Sequence, residues 1–196
     1  YCTWVGQHVA LCGAYQQIAD STYFATLSAA QRKAIDHALR DFRLAGVSLP
    51  PNEKQRYGEI RQRLSTLGSS FGENVLDATN AWSRQVTQKE LAGLPETTLV
   101  NAKDAARQAG HEGYLINLEF PSFSPVMNYC HSRELRQEVY TANCTRASDR
   151  GPHAGQWDNT ALIQETLELR RELAQLLGFD DYAELSLATK MADSRD

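Results

Sequence analysis

His111-Glu112 is the first place to look for chemistry, because a histidine followed by a glutamate begins the H-E-x-x-H pattern of zinc-hydrolase helices. In that pattern two histidines four apart turn both imidazoles toward one metal, and the glutamate activates the bound water. Here the fifth position is Leu115, so the second ligand is missing, and the pair follows Gly110 and leads into a run of strand formers. It reads as a loop histidine. His8 and Cys12 also stand four apart, but two ligands make no site without more, and Cys2 would join them only if the start of the chain folded back. Cys130 beside His131 suggests an activated thiolate. Adjacent helical residues do not face each other, so the pair reads as a buried thiol and an exposed histidine. Gly68-Ser69-Ser70-Phe71-Gly72 lacks the lysine of a phosphate loop and lies inside a helical pattern. The segment with the richest side chains holds Arg146, Asp149, Arg150, His153, Trp157 and Asp158. Its expected role is structural, locking the next helix through Asp158 and Asn159. No catalytic, cofactor-binding or metal-ligating residue is assigned from residue types.

The elements that carry these residues are mostly helical. Val5, Leu11, Cys12, Tyr15 and Ile18 step by helical spacings, which predicts one helix over Trp4 to Ile18. Ser28 and Gln31 form a capping-box pattern ahead of Ile35, Leu39 and Phe42, and Gly46 suits the end of that helix. After Pro50-Pro51, Tyr57, Ile60, Leu64, Leu67 and Phe71 form a seam that breaks at Asn74 and shifts to Val75, Ala78 and Trp82. This predicts a helix over about 52–86, roughly 50 Å long at 1.5 Å per residue. Gly68 and Gly72, four apart, are expected to admit a close helix neighbour or a bend. Glu59 with Arg63 reads as a surface i,i+4 pair. Thr87 and Glu90 repeat the capping-box pattern, and Pro95 suits the first turn of a helix ended by Gly110. Tyr114 to Phe120 and Phe123 to Met127, separated by Pro121-Ser122, read as a β-hairpin over about 113–128. Ser132 opens a helix with Leu135, Val139 and Ala142, and Asp158 caps one with Ile163, Leu167, Ala174 and Leu177. Gly178-Phe179 stops it, and Asp180 or Asp181 starts the last helix, cut at Asp196.

The expected fold class is therefore mainly α, a multi-helix bundle with one long helix and one short hairpin, and residues 1–196 carry no internal domain boundary. The chain has 196 residues, is 42% hydrophobic and 22% charged, and has a net charge of −4, which suits a globular fold and disfavours binding through nucleic-acid phosphates. No apolar run approaches the roughly 20 residues of a membrane span. Cys2, Cys12, Cys130 and Cys144 contain no C-x-x-C pair and read as reduced thiols, which favours a cytoplasmic address. The chain starts at Tyr1 and both ends interrupt apparent helices, so it reads as a piece of something longer. Apolar surface left bare by such a cut would favour self-association.

Further stretches carry a resemblance. In order they are Tyr57-Gly58-Glu59-Ile60, Asn74-Val75-Leu76-Asp77-Ala78-Thr79, Gly113-Tyr114-Leu115, Pro125-Val126-Met127 and Thr145-Arg146-Ala147-Ser148-Asp149. Trp157-Asp158-Asn159, Leu176-Leu177-Gly178-Phe179 and the run from Asp181 to Ala192 follow. Over essentially all 196 residues the sequence resembles the thimet-oligopeptidase-like zinc metallopeptidases. The resemblance implies a longer, mostly helical, two-lobed enzyme whose deep channel admits short peptides. It places the family's zinc on an H-E-x-x-H helix, with a downstream glutamate as third ligand, C-terminal to the matched region. This sequence has no H-E-x-x-H, so none of those ligands carries over. The expectation is a non-catalytic channel-wall segment, inactive alone, with zinc only in the full-length parent. Its partners would be the rest of the parent chain and, in the full enzyme, short peptides, with no nucleic acid or membrane. The alternative is a self-contained helical protein-interaction module, suggested by the missing active site and the long seam.

Overall fold

The computed structural model describes residues 2–192. Among them the expected mainly α class holds, with helices joined by one two-stranded sheet. The chain divides into two compact units, Tyr1–Thr66 with Glu165–Asp196, and Leu67–Gln164.

The first unit begins with α1 (Cys2–Gly6) and α2 (Val9–Ala19), so the single opening helix expected over Trp4 to Ile18 is interrupted. The cause is local: His8 is extended and its Nδ1 accepts from the Leu11 amide at 3.1 Å, capping α2. A short 3₁₀ turn (Thr22–Thr26) leads to α3 (Ala29–Leu44), where Ser28 and Gln31 form the expected reciprocal cap. Tyr15 packs its ring against Phe42 with centroids 5.8 Å apart. The long helix α4 (Pro51–Ala81) gives residues 51–66 to this unit. Its Tyr57 hydroxyl donates to the Leu44 carbonyl at 3.2 Å, and Ile60 is fully buried. The later part of α8 (Thr160–Leu176) lies alongside, with Leu169, Leu173 and Ala174 buried. Two paired forks join the helices: Arg56 to Glu172 at 2.6 and 2.7 Å, and Arg63 to Glu165 at 2.5 and 2.7 Å. Arg63 therefore reaches across to α8, while Glu59 accepts from Arg56 and Gln55, replacing the Glu59–Arg63 surface pair expected from spacing. Gly178 takes φ +79° after α8 and the Phe179 amide returns to the Ala174 carbonyl at 2.9 Å, the expected glycine stop. α9 (Tyr182–Leu187) follows under an Asp181 cap and ends at Leu187, with turns after it, so the last helix does not run on toward Asp196 as expected.

The second unit corrects two boundaries. α4 stops at Ala81, short of the expected 86, because Trp82 turns into the core and β1 (Ser83–Val86) pairs with another strand. That strand is β2 (Tyr114–Asn117), antiparallel, with Val86 opposite Tyr114 and Arg84 opposite Ile116. The hairpin expected over 113–128 does not form. Its second arm is α6 (Phe120–Tyr129), in which Pro121 sits in the first turn and Pro125 in the interior. Burial outweighs that proline: Phe123, Val126, Met127 and Cys130 recur at helical spacing on the core. α5 (Glu96–Gln108), capped at Pro95, and α7 (Arg133–Cys144), capped by Ser132, complete the unit around Ile116, Leu135 and Val139. Thr87 and Glu90 make the reciprocal hydrogen bonds of a capping box, but turns follow them and no helix starts there.

Among the described residues Gly68 and Gly72 mark no close contact, since an added Cβ would meet nothing within 4 Å at either. Gly68→Ala and Gly72→Ala should each stabilise this chain by about 1 kcal/mol in urea unfolding; a loss at either would reveal a contact made by its bare backbone. The Arg63 and Arg56 hydrogen bonds hold the Glu165 and Glu172 carboxyls below the ordinary 4.5. A depressed folded value stabilises above the unfolded pKa and is lost as pH falls through the folded one. Stability should decline below about pH 4.5, and Arg63→Gln with Arg56→Gln should flatten that decline; an unchanged acid limb would contradict it.

Candidate functional site

The loop from Arg146 to Asn159 holds the densest set of reactive side-chain types, and most of them are engaged within the protein. Arg146 donates from Nε to the Asn143 carbonyl at 2.9 Å and from Nη1 to Thr79 Oγ1, on α4, at 2.8 Å. Ala147 adopts φ +51°, and its carbonyl accepts from the Asn159 amide at 3.0 Å, which closes the loop at its base. The Gly155 amide donates to the Ser148 carbonyl at 3.0 Å. Gly151 takes φ +82° against Thr145, whose Oγ1 would lie 1.9 Å from an added Cβ, so no side chain fits there. His153 and Trp157 meet edge to face at 5.6 Å.

Asp158 Oδ1 accepts from the amide and hydroxyl of Thr160 at 2.9 and 2.6 Å, as expected of a residue that starts α8. The Thr160 hydroxyl and amide together hold the Asp158 carboxyl below its ordinary range. Asn159 is 1% exposed. Its Oδ1 accepts from Asn74 Nδ2 at 2.8 Å, and its Nδ2 donates to the Phe71 carbonyl at 3.3 Å. The residue type that breaks the apolar seam of α4 is thus the partner of the residue before α8. Sequence spacing marks Asn74 and Asn159 separately but gives no sign that they meet.

The other candidates are dispersed. His111 follows the end of α5, is exposed, and donates its amide to the Ala106 carbonyl at 2.8 Å; Leu115 lies in β2. His8 is engaged as the α2 cap, and Cys12 is a half-buried free thiol. The Cys2 side chain lies outside the described ones. Cys130 is buried and donates from Sγ to the Glu90 carbonyl at 3.2 Å, whereas the His131 amide binds the Ala92 carbonyl, so thiol and imidazole form no pair. Cys144 is exposed, and the thiol beside Tyr140 raises that phenol above its ordinary value. A set that sequence reasoning missed surrounds Arg84, which binds Glu90 at 2.9 Å and also Glu138. The helical reading of 83–86 hid it. The Thr87 amide and hydroxyl keep the Glu90 carboxyl low.

Among the described residues no group of three or more His, Cys, Asp or Glu could hold a metal ion. The described residues therefore do not fit the zinc that the resemblance implies. The chemistry of the loop is that of backbone satisfaction and helix capping. Asn74→Ala should destabilise the chain by about 1–3 kcal/mol, because it leaves Asn159 Oδ1 buried without its donor. A double-mutant cycle with Asn159→Ala should show strong coupling; additive losses would contradict the pairing.

Comparison with known proteins supplies what the geometry does not. Residues 1–55 match the family described as Neurolysin/Thimet oligopeptidase, N-terminal domain, and residues 126–196 match Peptidase family M3. The chain is 55% identical over 195 residues to Oligopeptidase A of Salmonella typhimurium and to Oligopeptidase A of Escherichia coli, covering 99% of this chain and 29% of each relative. It is 39% identical over 196 residues to Probable cytosolic oligopeptidase A of Arabidopsis thaliana, covering 96% of this chain and 27% of that protein. The chain thus spans less than a third of the length of these relatives. Over nearly its whole length the sequence is oligopeptidase A-like, and the Peptidase family M3 match lies in its residues 126–196.

Proposed function

We propose that these 196 residues are a non-catalytic helical segment of a longer zinc-dependent oligopeptidase, contributing wall helices to a channel that admits short peptides. The observation that carries this reading is the 55% identity across 99% of the chain to proteins named Oligopeptidase A. The use of Arg146, Asp158 and His8 to tie down loops and cap helices supports a scaffolding role. The rest of the parent chain would be the principal partner and would supply the metal-binding residues, and short peptides would bind the assembled enzyme. A reducing, cytoplasmic setting is supported by the free thiols Cys12, Cys130 and Cys144. No helix among the described residues is long and apolar enough to cross a membrane.

The chain alone should bind no stoichiometric zinc in elemental analysis and should not cleave a fluorogenic short peptide. Stoichiometric zinc together with turnover would overturn the non-catalytic reading.

A further inference from the structure

We draw no further inference here: the strongest candidate, the open groove of the first unit lined by Leu44, Tyr57, Leu173 and Leu185 together with the exposed charges of Asp41, Arg61 and Lys190, carries both signs of charge beside its apolar residues, and nothing in the structure shows what covers it.

Discussion

The second unit depends on a hydrogen bond between two side-chain amides, Asn74 on α4 and Asn159 at the start of α8. Asn159 is almost wholly removed from water, so each of its polar groups needs a partner inside the protein. It finds four: the Asn74 amide, the Phe71 carbonyl, the Ala147 carbonyl and the Ile163 amide. One residue therefore fixes the middle of α4, the base of the 146–159 loop and the first turn of α8. An apolar residue at 74 would continue the seam of α4 but leave the Asn159 oxygen unsatisfied, which is why the seam breaks where it does.

The same economy explains why a chain with several reactive side-chain types assembles no reactive cluster among its described residues. His8 spends its Nδ1 on a helix start, Asp158 and Glu90 spend their carboxylates on amides and hydroxyls, and Cys130 donates to a carbonyl. The Arg56 and Arg63 forks bind helix to helix at the protein surface, where each pair contributes modestly and is weakened by salt. Within each unit these side chains tie helices and loops together, which supports the scaffolding role proposed above.

Much of this was legible in the residues. Capping signals worked where a polar side chain only had to reach an amide three residues on, as at Ser28, Ser132 and Asp181. Glycine stops worked because positive φ is a local requirement. The failures share a different cause. Residues 83–86 form a strand because β2 offers a partner from more than two dozen residues away, and no local pattern announces that. Residues 123–127 look strand-forming by residue type, yet Phe123, Val126 and Met127 can reach the core together only from a helix, and their burial offsets the proline. The Thr87–Glu90 box shows the reverse, a local signal fully formed with no helix to follow it. The site was less legible than the fold, since Asn74 and Asn159 meet across 85 positions.

The proposed larger polypeptide would account both for the 29% share of the matched relatives that this chain spans and for a sequence without H-E-x-x-H. Sequencing the reading frame that encodes these residues tests that most directly. The account predicts a continuous frame with an H-E-x-x-H motif beyond residue 196. A stop codon immediately after Asp196, with initiation at the codon before Tyr1, would contradict it.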